Sequence, residues 1–216
     1  SASPVLAEIM MAQGQLREAF ATFQGALQLA ADQGEPLPLG TEDLYRGISE
    51  LYRERGDFET ATQHLLTSNK LAEQDSQSDW QRRLYVSDAR IKQSQGDLEG
   101  ALAQLDNAER LSIRSPLPDV RPIQALKTRI FVAQGRLTEA LGWAHERDLS
   151  IDDELSYLRE FEHITLARLL MAQYQRDSTD DTLHAAMELL KRLLQAAEEG
   201  GRMGSMIEIL ALQAIV

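Results

Sequence analysis

The chain has 216 residues, 43% of them apolar, and a formal net charge of −12 at pH 7. This acidic balance argues against a nucleic-acid platform, because phosphate binding needs a basic face. The absence of cysteine excludes disulfides and thiolate metal sites, and no apolar run is long enough to span a membrane.

A short motif recurs four times: a glycine, any residue, a large apolar residue, two more residues and an alanine. Its alanines lie 42, 40 and 39 residues apart, a period typical of stacked helical hairpins. Glycine suits a left-handed turn at the end of a first helix, and the small alanine lets a second helix pack closely on it. The sequence therefore predicts an all-α, right-handed, superhelical solenoid. The four copies are 14–19, 56–61, 96–101 and 135–140.

In chain order, helical periodicity predicts five hairpins within a single domain spanning 1–216. Thr41 is expected to cap the helix that follows it, and capping boxes at 78–81 and 205–208 predict two further helix starts. The first helices are expected to form the concave wall. The hairpins are predicted at about 4–33, 41–74, 78–112, 119–149 and 152–199, followed by an unpaired helix at 205–216.

The last predicted helix carries an apolar stripe that no further helix in this sequence would cover. The chain opens without Met and stops inside an apolar helical pattern, so we expect a segment of a longer protein. Because terminal repeats need a polar outer face, the uncovered stripe is expected to cause self-association. The stripe consists of Ile207, Leu210, Ala211, Ala214 and Ile215.

The repeats resemble a known family. A small residue lies twelve positions before each repeated alanine, which is the tetratricopeptide pattern, here with longer repeats: Ala7, Ser49, Ala89 and Thr128. The Ala-Gln-Gly turns at 12–14 and 133–135, and the run GGRMGSMIEILALQ at 200–213, are similar to the large ATP-binding LuxR-type transcription regulators, the maltose-regulon activator-like family. The resemblance covers essentially the whole chain and falls on the helical sensor region of that family.

The resemblance implies a cytoplasmic, non-catalytic sensor. A small-molecule inducer, or a protein or peptide, would bind in the concave groove and control self-association and activity of the parent regulator. ATP would bind only to an upstream domain and DNA only to a C-terminal one. The sequence holds neither a Gly-rich loop followed by Lys-Ser/Thr nor a basic recognition helix, and no membrane contact is expected.

Two alternatives belong to other classes. A generic tetratricopeptide scaffold would grip a peptide carboxylate with Lys and Asn in its groove. Here Asn69 and Asn107 are both expected on second helices, which counts against it. An α-helical enzyme is the other alternative. The paired carboxylates fall near helix ends, and the histidines at 64, 145, 163 and 184 form no metal-type pair, so we expect neither a catalytic nor a metal site.

Three arginines are the best candidates for ligand contact. Arg90, Arg129 and Arg168 each directly follow a small residue of a first helix and are spaced by 39 and 39 residues. Such positions usually face the groove, although local ion pairing with Glu or Asp on adjacent helices is the favoured alternative. Trp80, at a helix start, is a further groove candidate, whereas Trp143, within a second helix, is expected in the core.

Overall fold

The computed structural model describes residues 3–34, 37–73, 79–111, 119–178 and 180–215, and in these ranges every regular element is a helix. A single 3-10 turn, Tyr157–Arg159, precedes α9. The predicted all-α class with tetratricopeptide-like hairpins is confirmed. The helices are α1 Ser3–Ala12, α2 Leu16–Asp32, α3 Thr41–Glu54, α4 Phe58–Ala72, α5 Trp80–Ser94, α6 Leu98–Arg110, α7 Ile123–Ala133, α8 Leu137–Glu146, α9 Glu160–Asp177, α10 Asp180–Glu199 and α11 Met203–Gln213.

The chain forms two compact units, Ser1–Ile113 and Arg114–Val216. In the first unit α1 packs on α2, α3 on α4 and α5 on α6, and the first helices α1, α3 and α5 contact one another in succession. In the second unit α7 packs on α8, α9 on α10 and α11 on α10, while α7 contacts α9. The single domain, the handedness and the concave wall stay predictions.

The turns inside the hairpins follow from the repeated glycine. Its φ lies between 73° and 84° at all four motif positions, so the predicted left-handed turn is confirmed. At Gly56 the next amide, Asp57 N–H, donates to the carbonyl of Tyr52 at 3.0 Å, which closes a Schellman motif. The Asp57 carboxylate then accepts from the Thr60 amide at 3.1 Å, so one turn both ends α3 and caps α4.

The buried cores are organised by the same repeat. The motif alanine and the small residue twelve positions before it are almost completely buried in every copy, and the Ser49 hydroxyl donates directly to the Ala61 carbonyl at 2.7 Å. In the second unit Trp143 lies in a core with Leu189, Leu193 and Ile209, which confirms its predicted core position. Close approach of first and second helices at small residues therefore fixes each hairpin.

Two of the three predicted helix caps need correction. Gly40 is the N-cap of α3, and the Thr41 hydroxyl donates instead to the Pro38 carbonyl at 2.6 Å. Ser78 lies outside the described residues. The capping box at Ser205 is wrong, because the left-handed turn at Gly201 already ends α10 and lets α11 begin at Met203. The Ser205 hydroxyl donates to the Glu160 side chain at 2.6 Å, on another helix.

None of the described helices combines the length and apolarity needed to cross a membrane. On α11, Ile209 and Leu212 are buried, whereas Ile207 and Leu210 are 60% and 49% exposed, so the predicted apolar stripe is exposed. Self-association through it stays a prediction.

The turn geometry predicts opposite effects for two alanine substitutions in the second unit. A Cβ at Gly135 or Gly142 would meet no atom within 4 Å, but only Gly135 has a positive φ, of 73°. We expect Gly135→Ala to destabilise the chain by about 1–2 kcal/mol. Gly142→Ala, on the exposed face of α8, should stabilise it by about 0.5–1 kcal/mol. Urea unfolding measures both, and effects of the same sign would contradict this assignment.

The stripe predicts a change in assembly. Ile207→Ser combined with Leu210→Ser should lower the average mass measured by light scattering at high concentration, because the variant has less apolar surface to bury between copies. Leu29→Ser is the control, since Leu29 is 65% exposed on α2. An equal fall in the control, or no fall in the double variant, would show that α11 does not mediate association.

Candidate ligand-binding site

One position on successive first helices carries a charged residue. On α1, α3, α5, α7 and α9 it directly follows a buried small residue, whereas on α11 it follows the exposed Ile207. It includes acids as well as the three arginines predicted from the sequence. α11 continues the spacing, because Glu208 lies 40 residues after Arg168. We call this set of positions the charge ladder. It consists of Glu8, Glu50, Arg90, Arg129, Arg168 and Glu208.

Apart from Glu8, which pairs with Arg46, the ladder residues pair with each other inside each unit. In the first unit Arg90 Nη1 lies 3.0 Å from Glu50 Oε2. In the second, Arg129 Nη1 lies 2.8 Å and Arg168 Nη2 2.9 Å from Glu208 Oε1. The ion-pair alternative for these arginines is therefore present in the structure. Ligand contact stays a prediction, as does a single groove lined by all three arginines.

Glu50 is a buried carboxylate held between two guanidiniums. Arg53 Nε donates to Glu50 Oε2 at 3.0 Å, and Arg90 contacts the same oxygen. Burial by itself would raise the pKa of Glu50, but the attraction of Arg90, and then of Arg53, outweighs it and the pKa lies below its usual value. This part of the ladder is a satisfied structural ion pair.

The second unit gathers a larger set of cations around one aromatic ring. The guanidinium of Arg129 lies 3.7 Å from the centroid of Phe161, and its Nε donates to the Thr165 hydroxyl at 2.8 Å. Arg121 lies 5.7 Å from the same centroid. Arg168 also donates through Nε to Glu208 Oε1 at 3.0 Å. We call Arg121, Arg129, Arg168, Phe161 and Glu208 the arginine cluster.

The arginine cluster has more positive than negative charge. Two guanidiniums contact the single carboxylate of Glu208, and the third, that of Arg121, lies near the Phe161 ring. The nearby Asp119 side chain accepts a hydrogen bond from the backbone amide of Arg121. Burial lowers the pKa of Arg129, Glu208 raises it, and Arg168 and Arg121 lower it again, with a net value of about 10. The group is therefore still a cation at pH 7, in a site that disfavours its charge.

One donor of the cluster has no partner among the described residues. Arg129 has 14% of its side chain exposed, and its Nη2 is buried without a hydrogen-bond acceptor in the part of the chain that the structure describes. Arg168, in contrast, has 36% of its side chain exposed. The arginine cluster therefore contains both a buried donor, Arg129 Nη2, and a guanidinium that solvent can reach, that of Arg168.

Trp80 lies away from any large opening. It is the first residue of α5, as predicted, but it is half-buried. Together with Arg46, Arg83 and Leu84 it lines a cavity of about 10 Å³, which is no larger than a water site needs. Its role as a groove residue stays a prediction.

Sequence reasoning missed a cavity of about 210 Å³ in the second unit. Its lining includes an ion pair between Arg202 Nη2 and Glu160 Oε2 at 2.6 Å, and Glu160 also accepts from the Ser205 hydroxyl. The two charges of this pair neutralise each other, and the pair holds the start of α11 on α9. The signal was Arg202 in the glycine-rich run at 200–213. The lining residues are Leu155, Ser156, Tyr157, Glu160, Leu193, Ala196, Glu199 and Arg202.

His163 is a packing histidine. It is fully buried, with Nδ1 3.0 Å from the Arg159 carbonyl and Nε2 3.1 Å from Asp153 Oδ2. The neighbouring Glu162 points elsewhere and pairs with Arg147 at 2.8 Å. Within the described ranges no group of three or more His, Cys, Asp or Glu residues could hold a metal ion.

The lowered pKa of Glu50 predicts a pH-dependent effect of Glu50→Gln. Its ion pairs stabilise the fold fully above the unfolded pKa of about 4.5, and this contribution is lost as the pH falls through the lower folded value. At pH 7 we expect the variant to lose about 1–3 kcal/mol of stability. The difference from the unaltered chain should shrink below pH 4.5.

Urea unfolding at a series of pH values measures this difference. Glu188→Gln is the control, because Glu188 is exposed on α10. A gap that stays constant from pH 7 to pH 3 would contradict the ion-pair assignment of Glu50.

Comparison with known proteins agrees with the hairpin architecture. The chain is similar to the TPR-like repeats of a Podosopora anserina protein described as a kinesin light chain, with a TM-score of 0.59 and 18% identity over 88% of this chain and 94% of the other. At that identity the likeness shows the fold alone. No curated protein matches the chain significantly. Residues 2–216 match the family described as MalT-like TPR region, and the chain therefore belongs to that family.

Proposed function

We propose that this chain is the non-catalytic sensor region of a multidomain bacterial LuxR-type transcription regulator, and that it acts in the cytoplasm. The observation that carries the proposal is the arginine cluster, in which side chains of α7, α9 and α11 meet at one carboxylate. Its support is membership of the MalT-like TPR region family. ATP and DNA would be bound by other regions of the parent regulator.

A sensor must bind its ligand with different affinity in two states. The arginine cluster offers such a difference, since Glu208 links α11 to both Arg129 and Arg168. A ligand that alters these contacts alters the free energy that holds this face of α11 in place. The apolar stripe of α11, with Ile207 and Leu210 exposed, then supplies the surface through which self-association would respond.

The second candidate, a peptide-binding scaffold unrelated to transcription, has weaker support. The Asn side chains that such a scaffold would use lie on the second helices α4 and α6. Asn69 donates to Glu73 at 3.1 Å, and Asn107 accepts from Arg110 at 2.8 Å. Both amides are thus engaged locally, Asn69 with the residue that caps α4 and Asn107 within α6.

The two candidates separate in a binding experiment on the parent protein. Sugars, sugar phosphates, dicarboxylates, amino acids and a library of short peptides are screened by thermal shift, and hits are tested for an effect on mass by light scattering. We expect a small molecule that raises the melting temperature and changes the assembly state. Binding of peptides alone would favour the scaffold, and small molecules that bind without changing assembly would contradict the sensor role.

A further inference from the structure

The arginine cluster contains more hydrogen-bond donors than its own carboxylate uses. Each guanidinium has five N–H donors in a planar fork suited to carboxylate or phosphate. The contacts to Glu208 come from Arg129 Nη1 and from Nε and Nη2 of Arg168, and all three go to one oxygen, Oε1. One carboxylate thus serves two guanidiniums, with Arg121 close by.

We propose that the arginine cluster binds a small organic anion, a carboxylate or a phosphate monoester, in exchange for the Glu208 side chain. This inference rests on the proposed sensor function and names the class of its ligand. The excess positive charge favours an anion over a neutral or cationic ligand. The buried Arg129 Nη2, without an acceptor among the described residues, is a donor that a second acceptor could satisfy.

The aromatic ring of Phe161 helps to hold the Arg129 side chain in its binding position. Phe161 lies against the face of the Arg129 guanidinium, and Thr165 fixes its Nε, so the side chain has little freedom to lose on binding. Arg168 is more exposed and gives the anion its first contact with the site. A ligand can therefore enter from the side of Arg168 and complete its contacts at Arg129.

Glu208 is an internal competitor for the same donors. An incoming anion binds only when the Glu208 side chain has moved. Its observed affinity is therefore its affinity for the free site multiplied by the fraction of time that the site is free. The exchange would cut the direct ion pairs of α11 with α7 and α9. It leaves the start of α11 in place, because Arg202 and Ser205 remain bound to Glu160. The expected opening is local to the middle of α11.

Isothermal titration of this 216-residue chain with inorganic phosphate and with succinate, in chloride at matched ionic strength, tests the proposal. We expect Glu208→Gln to bind about 10-fold more tightly than the unaltered chain, because the competitor loses its charge. Arg168→Gln, partly exposed and so expected to fold, should bind at least about 10-fold more weakly, since a charged hydrogen bond is lost. Circular dichroism checks the fold of each variant.

Two exposed residues of α10 and α9 provide matched controls, Glu188→Gln and Arg176→Gln. Equal affinity in all five proteins would overturn the proposal, as would anion binding that Glu208→Gln weakens. Binding of phosphate alone or of succinate alone identifies the ligand class. If neither anion binds but a peptide with a free C-terminus does, the small-anion proposal is wrong.

Hydrogen exchange gives an independent readout. With saturating phosphate, amides of α11 should exchange faster while those of α10 remain unchanged. Bound phosphate without any change in α11 would overturn exchange with Glu208. The outcome is separable from that of the sensor proposal: anion binding to this chain without a response in the assembly of the parent leaves the site standing and refutes only the sensor role.

Discussion

The close contact between a small residue of each first helix and an alanine of the second is the constraint on which the rest depends. Ser49 and Ala61 show it directly, since the hydroxyl of one bonds the carbonyl of the other. Such contact fixes both the distance and the rotation of the first helix. The residue that follows the small position is then aimed at the neighbouring first helix. On α1, α3, α5, α7 and α9 the ladder position is therefore a consequence of packing.

The order of charges along the charge ladder decides whether neighbouring ladder residues form a complete ion pair or leave excess charge. In the first unit two acids, Glu8 and Glu50, precede one base, and Glu50 is satisfied between Arg90 and Arg53. In the second unit two arginines follow one another and share Glu208. The acid–base pair of the first unit stabilises the packing of its first helices. In the second unit two arginines share one carboxylate, which leaves excess positive charge in a half-buried position. The same geometry thus yields a structural ion pair in one unit and a candidate binding site in the other.

The sequence was sufficient to predict features set by local chemistry and by the repeat: the left-handed glycines, the buried small residues and the core position of Trp143. It failed where contacts join residues that are one or two repeats apart in the sequence. Glu208 was assigned to a capping box because its neighbours in sequence fit one, yet its partners are Arg129 and Arg168 on other helices. The acids at the same repeat position were visible in the sequence, and including them would have identified the pairs.

Glu208 reconciles the stability of the second unit with ligand binding. A half-buried guanidinium without a partner costs several kcal/mol, so an empty site made only of arginines would weaken the fold. An internal carboxylate removes most of that cost when no ligand is bound, and it lowers the affinity for every anion by the same factor. A ligand therefore has to satisfy the N–H donors of the Arg129 and Arg168 guanidiniums better than one oxygen of Glu208 does. A second oxygen that reaches the buried Nη2 of Arg129 is such a match, and it favours ligands whose anionic group presents two acceptors at once.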